Sequence, residues 1–226
     1  MKMFELSGVR VGLSDRADGN MKVLSDADET KVMKNRGKFL SKMELSEEST
    51  YFVRVGYDTD NFCRFMWAGK ENSLRLDRKA ERCDGLLACE RGVGLFLPLA
   101  DCAGVVLFDG AVGAMMVVHC GRHTVVQDGA LKAVRYMAEE VGTNPKDLFV
   151  WLSPSAGSGN YPIHDLGGMS LQEAVMGQLM RAGINKANIQ TSDIDTTVHD
   201  HYFSHSQGDE WDRFAIVAVI DGSDVK

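Results

Sequence analysis

The stretch Leu97–His123 reads LPLADCAGVVLFDGAVGAMMVVHCGRH, two apolar runs each bounded by a residue able to do chemistry, Asp101-Cys102 on one and His119 on the other. Runs of this length around a glycine-containing turn predict neighbouring buried strands. A thiol and an imidazole at the ends of such strands can meet across the strand connection. That is how a cysteine nucleophile obtains its base, or a transition metal two of its ligands. Seventeen positions separate Cys102 from His119, too far to share one helix face. The plain alternative is that Cys102 is a small buried hydrophobe, the usual state of a cysteine in an apolar run.

At 226 residues, with 44% hydrophobic and 25% charged residues, the chain has the balance of a globular protein with a sizeable core. No shift in composition marks an internal boundary, so residues 1–226 are expected to form a single domain. The formal charge of −7 gives no basic excess, so nucleic acid is not an expected partner, while local arginines can still draw a small anion. The five cysteines, Cys63, Cys83, Cys89, Cys102 and Cys120, contain no CxxC pair, and no apolar stretch is long enough to span a membrane. A cytoplasmic location without membrane contact is the expectation.

Taken in order, Met3–Leu13 predicts a short strand leading into the polar turn Ser14–Asn20, where a loop presents Arg16. Asp26–Met43 carries Val32, Arg36, Phe39 and Leu40 at helical spacing, with Asn35 in the middle. Thr50–Phe65 reads as strand, turn at Asp58–Asn61, strand, and Lys70–Arg82 as an exposed loop or short helix. Cys83–Ala88 and Gly92–Leu99 give further strands. Thr124–Val141 predicts one helix closed by Gly142. Phe149–Leu152 predicts a strand running into the small-residue loop Ser153–Asn160. Ser170 and Glu173 form a capping box for a helix closed by Gly183. Ile184–Gln190 and Phe214–Ile220 complete the strands, the latter suited to a central position.

All six histidines lie at or after position 119. His199 and His201, with Asp200 between them, have strand-like spacing for a metal, although exposed loop histidines explain it as well. His119-Cys120-Gly121-Arg122-His123, just before a predicted helix, is the densest cluster of reactive side chains.

With these pieces in place, the chain resembles the YfiH-type family, also called the laccase-domain or multicopper polyphenol oxidoreductase family. Ala100-Asp101-Cys102 corresponds to the family's ADC motif and Val118–Thr124 to its VHAGWRG motif. Ser14-Asp15-Arg16, Asn35-Arg36, Cys83-Asp84, Ser153–Tyr161 and Tyr202-Phe203-Ser204 follow further family segments in order. The resemblance implies an α+β fold of mixed sheets flanked by helices, related to cysteine hydrolases of the deamidase-toxin type. It also implies a zinc or copper ion on one cysteine and two histidines, with phosphorolysis of purine nucleosides or deamination of adenosine as the activity. Editing of peptidoglycan precursors and phenol oxidation are further activities attributed to the family.

The chain departs from that pattern. Cys102 and His119 carry over, but the first histidine of the Gln-Val-His-Gly motif has no counterpart, Tyr57 being the nearest equivalent. His123 or His205 is then the expected third ligand if zinc binds, copper being less favoured. Without a metal, Cys102 and His119 are expected to act as nucleophile and base, with Asp101 or Asn160 orienting. A nucleoside-like ligand is expected at Cys102 and His119, lined by Arg16, Asn35, Arg122, Tyr161 and Ser204. The alternatives are a ligand-binding protein that has lost catalysis and an editing hydrolase.

Overall fold

Strands apolar at every position, such as Ala103–Asp109 and Ala114–Cys120, have no face to give to water, so both faces must be covered. A computed structural model of the chain describes residues 1–22, 26–75 and 80–221 and shows how this is done. Strands β1 (Lys2–Leu6), β2 (Val9–Leu13), β3 (Thr50–Phe52), β6 (Gly94–Leu99) and β11 (Phe214–Ile220) form one sheet in the order β1-β2-β11-β6-β3. Strands β4 (Phe65–Trp67), β5 (Gly85–Ala88), β7 (Ala103–Asp109), β8 (Ala114–Cys120), β9 (Leu148–Leu152) and β10 (Ile189–Gln190) form the other, in the order β10-β9-β7-β8-β5-β4. Both sheets are mixed: β3 runs parallel to β6, β4 to β5 and β10 to β9.

The sheets pack face to face, and helices cover their outer faces. Leu95, Leu97, Ile216 and Ala218 of the first sheet meet Leu86, Val106, Phe108, Met115 and Val117 of the second. The intervening residues point outward. Phe96, Val217 and Val219 pack against Phe39, Leu40 and Met43 at the end of helix α1 (Asp26–Ser41) and just beyond it. Val105, Leu107, Met116 and Val118 pack against α2 (Arg122–Val126), α3 (Gly129–Val141) and α4 (Leu171–Arg181). The expected α+β architecture of mixed sheets flanked by helices is what the structure shows, and Phe214–Ile220 takes the predicted central place.

Several local expectations are corrected. Met3–Leu13 is two strands, not one, because Ser7 and Gly8 adopt positive φ (47° and 108°) and close a two-residue hairpin. The strands read at Thr50–Phe65 do not pair with each other: β3 and β4 belong to different sheets. The helix read at Thr124–Val141 breaks between α2 and α3, where Asp128 takes φ 59°. A Cβ on Gly129 would stand 2.8 Å from the Thr124 carbonyl oxygen, so this junction admits only glycine without displacement. Of Ile184–Gln190, only the last two residues are strand. In Lys70–Arg82 a short 3₁₀ turn spans Lys70–Asn72, and residues 76–79 lie outside the described residues.

Candidate functional site

Period-two alternation aims the reactive pair. In the β7–β8 hairpin Gly104 pairs with His119 and Ala103 with Cys120. His119 therefore shares the inter-sheet side with Met115 and Val117, while Cys120 turns to the helices. Cys102 lies at the crossing from β6 of the first sheet to β7 of the second. Both side chains converge over Gly121: a Cβ there would stand 2.9 Å from His119 Cε1 and 3.0 Å from Cys102 Sγ.

The crossing is held by Asp101, which adopts φ 72° and is almost fully buried. Its Oδ1 accepts from Thr196 Oγ1 (2.8 Å), its Oδ2 from the amide and hydroxyl of Ser206 (both 2.8 Å), and its carbonyl from the Ala156 amide (2.8 Å). These bonds tie three loops to one residue and offset the cost of its backbone conformation. Asp101 is thus a positioning residue for Cys102, and it has no bond to His119. Asn160, the other expected orienting group, donates to Thr197 Oγ1 at 2.9 Å.

Cys102 and His119 open into a cavity of about 1200 Å³ where the ends of the two sheets meet. Arg122, His123, Tyr161 and His205 line it, as do Tyr57 and, unforeseen from sequence, Phe62. Three rings form a connected wall, His123 stacking on Phe62 with centroids 4.5 Å apart and Tyr57 meeting His123 at 6.5 Å, and separately the Arg122 guanidinium lies 4.7 Å over Tyr161. Gln127 fixes this wall, accepting from the Phe62 amide (3.0 Å) and donating to the Asp60 carbonyl (2.7 Å). Lys22, Arg54, Arg82 and Arg213 also line the cavity.

Three expected lining residues lie elsewhere. Arg16 forks onto Asp209 (2.6 and 2.9 Å) and also donates to the Asp200 and Tyr202 carbonyls, bracing a loop outside the cavity wall. Asn35 donates to the Asn20 carbonyl (3.0 Å). Ser204 is buried, its hydroxyl 3.2 Å from that of Ser206. His199 and His201 are exposed, with rings 4.9 Å apart.

Burial dominates the electrostatics. It pushes the Cys102 thiol up to about 12, with Asp101 adding to the shift, and lowers His119 to about 4, with Lys22 adding to that. At neutral pH the proton stays on sulfur and the imidazole is neutral, the opposite of the thiolate–imidazolium pair of an activated cysteine. His119 Nδ1 is buried with no hydrogen-bond partner among the described residues. The pair accordingly lacks the third group that orients the base of a triad.

The same atoms test the implied metal. Cys102 and His119 supply two donors, but no group of three or more His, Cys, Asp or Glu gathers among the described residues. His123 is engaged in its stack on Phe62, and His205 lines the cavity without completing such a group. A zinc-bound histidine normally donates its second ring nitrogen to an outer partner, and His119 has none. The residues present therefore do not fit a catalytic zinc or an electron-transfer copper centre, each of which needs at least three protein ligands.

The fold and the sequence have known counterparts. The YfiH protein of Bacillus licheniformis, described as hypothetical, superposes with a TM-score of 0.84 at 19% identity, over 94% of this chain and 93% of that one. YlmD of Geobacillus stearothermophilus superposes with a TM-score of 0.83 at 20% identity, over 95% and 92%. At these identities the likeness is one of fold. Among curated proteins, a purine nucleoside phosphorylase of Corynebacterium glutamicum is 28% identical over 101 residues, 45% of this chain and 41% of the relative. One of Streptomyces coelicolor is 35% identical over 79 residues, 35% and 32%. One of Mus musculus is 28% identical over 177 residues, 67% and 41%. The match thus spans about two fifths or less of each of these relatives. Residues 7–168 match the sequence pattern of the multi-copper polyphenol oxidoreductase laccases, and the chain belongs to that family.

Proposed function

We propose that the chain processes a purine nucleoside, by phosphorolysis or deamination, in the cavity above Cys102 and His119. The observation that carries this reading is the aromatic wall of Tyr57, Phe62, His123 and Tyr161 around a cavity with a thiol and an imidazole in its floor. Flat rings at stacking distance suit a purine, each such contact contributing roughly 0.5–1.5 kcal/mol beyond burial. The polar end of the ligand then faces His119, whose neutral imidazole can donate to or accept from a hydroxyl or ring nitrogen. The relatives named purine nucleoside phosphorylases support the same substrate class. The test is turnover of adenosine, inosine and guanosine, with and without phosphate and with and without added zinc. Wild type is expected to release base or ammonia, and Cys102→Ala and His119→Ala to lose at least about tenfold, the scale of a lost acid–base group. Absence of turnover in every arm defeats the enzymatic reading.

One observation favours a second reading. A buried imidazole without an orienting partner and a thiol held protonated describe a site that binds without reacting. On that reading nucleosides raise the melting temperature, while wild type and Cys102→Ala are equally inactive.

A further inference from the structure

Nδ1 of His119 shares its state with one other side-chain atom close by in the ladder: Oδ1 of Asp84 is likewise buried without a hydrogen-bond partner among the described residues. Asp84 stands just before β5, is fully buried and does not line the cavity. Gly85 of β5 pairs with Val118 of β8, so the same antiparallel register sets Asp84 opposite His119, and the His119 amide donates to the Asp84 carbonyl at 2.8 Å. Directly opposite residues of an antiparallel pair project to one side, with Cβ atoms about 4.5–5.5 Å apart. That side is the layer between the sheets. Leu86 and Ala88 of β5 face it against Val117 and Met115 of β8, and Asp84 and His119 continue the two alternations by one step.

The other oxygen of Asp84 is already taken. Gly85 also pairs with Phe65 of β4, which sets Arg64 on the far flank of Asp84. Asp84 Oδ2 accepts from the Arg64 amide (2.9 Å) and Nε (3.4 Å), and the Asp84 amide donates to the Arg64 carbonyl (2.7 Å). Arg64 Nη2 reaches on to the Gly56 carbonyl at 3.4 Å, next to Tyr57 of the aromatic wall. Three adjacent strands thus carry a transverse row of Arg64, Asp84 and His119, with one carboxylate oxygen fixed on the arginine side and the other unclaimed. Burial raises the Asp84 carboxyl, and the Arg64 bonds and charge oppose that rise, which favours the ionised acceptor over the acid. The Cε1–Nε2 edge of the His119 ring borders the point over Gly121 that Cys102 Sγ also borders. Leaving a buried acceptor and a buried ring nitrogen unpaired is costly, and a single hydrogen bond satisfies both.

We infer that Asp84 is the positioning residue for His119, its Oδ1 accepting the Nδ1–H so that Nε2 stands unprotonated toward Cys102 and the ligand. The residues expected from sequence in this role, Asp101 and Asn160, have their side chains bonded to Thr196, Ser206 and Thr197. The bond is open in this structure, as such bonds often are before a ligand tightens the site. Which imidazole nitrogen carries the proton is set by the bond that the other nitrogen makes. Asp84 therefore chooses the tautomer: with Nδ1 protonated, Nε2 accepts a hydrogen bond from the Cys102 thiol or from a ligand hydroxyl. The inference deepens the enzymatic reading above and rests on it only for the effect on turnover; the place of the proton is independent of it.

Nitrogen-15 NMR of the full chain, metal-free and with labelled histidine, tests this at neutral pH with and without adenosine. His119→Gln identifies the His119 resonances by their loss. Wild type is expected to carry the His119 proton on Nδ1, the more completely with adenosine present. Asp84→Asn keeps the shape but offers an amide that donates to Nδ1, so it should move the proton to Nε2. In the same variant kcat for nucleoside turnover should fall at least about tenfold, the scale of a misplaced base, with KM changed less than about twofold. Circular dichroism checks that Asp84→Asn is folded. Wild-type His119 protonated on Nε2 in both conditions overturns the inference, and that reading needs no variant to fold. A proton that stays on Nδ1 in Asp84→Asn also overturns it, and if nucleosides are still turned over, the nucleoside reading stands. A tautomer that switches in Asp84→Asn while no nucleoside is turned over by wild type leaves the positioning role standing and removes the enzymatic reading.

Discussion

Gly121 is the smallest residue in the site and the one on which Cys102 and His119 both rest. Gly121→Ala places a methyl group against Cys102 Sγ and His119 Cε1, so it is expected to lower nucleoside turnover or binding by more than tenfold with a destabilisation of about 1–3 kcal/mol. Kinetics and urea titration of the same variant check both, and a wild-type result in each refutes the convergence of the two side chains. His119 gives a prediction in pH. Its folded value of about 4 lies below the ordinary 6.5, so between these values the unfolded chain binds a proton that the folded chain refuses. The resulting stability is present above pH 6.5 and lost as pH falls toward 4. A melting-temperature profile of metal-free wild type should steepen over that window, and His119→Gln should flatten it. Cys102 and His119 were legible in the sequence because each bounds a buried run. Arg54, Arg82, Lys22 and Arg213 were not, since a charged residue in a loop carries no periodic signature and looks the same whether it faces water or a cavity. Arg16, Asn35 and Ser204 show the converse: they match family segments, and in this structure Arg16 and Asn35 bond to neighbouring loops and Ser204 bonds within its own.

At the level of elements, the break between α2 and α3 matters more than its two residues suggest. Gln127, within the break, anchors the Phe62 loop, so the aromatic wall depends on a helix that stops and restarts. Gly129→Ala drives a Cβ toward Thr124 and is expected to cost about 1–3 kcal/mol by urea denaturation, with weaker ligand binding as the wall shifts. An unchanged midpoint would show that the junction yields freely. Apolar spacing runs through this break without interruption, from Val126 and Ala130 to Val134, and for that reason periodicity alone reads one helix. The strands were legible as elements but not as partners. β3 and β4 flank a turn, as hairpin strands do, yet each pairs in parallel with a strand distant in sequence, a choice made by tertiary packing. The capping box at Ser170 and Glu173 appears as expected, because its two bonds are local (2.7 and 3.2 Å).

For the whole molecule, the layer between the sheets is one continuous apolar cluster drawn from both, and the same strands carry the outer clusters against the helices, so the layers share their strands. Unfolding in urea is expected to be a single transition, with tryptophan fluorescence and far-ultraviolet circular dichroism superimposing. Trp151 is the reporter for the interior: it is buried in that layer with its ring 5.1 Å from Phe4, while Trp67 and Trp211 are exposed. Two resolved transitions would mean that the sheets melt separately. Among the described residues no helix is long and apolar enough to cross a membrane. Most of the described acidic residues are exposed, whereas Arg82, Arg122 and Arg213 line the cavity. Net charge, the quantity most easily read from composition, therefore says little about what the cavity attracts.

The β7–β8 hairpin gives the site a parity. Whether a residue near its open end faces the cavity or the helices depends on whether its number is odd or even in the pairing that joins Gly104 to His119. The turn that sets this count, at positions 110–113, lies seven ladder pairs from that end, on the order of 20 Å away. A slip of one residue at that tip would exchange His119 for Cys120 or Val118 on the cavity side without altering any side chain that a ligand touches. Length changes in this chain are thus graded by address: the outer loops can absorb them, and the short tip of one hairpin cannot.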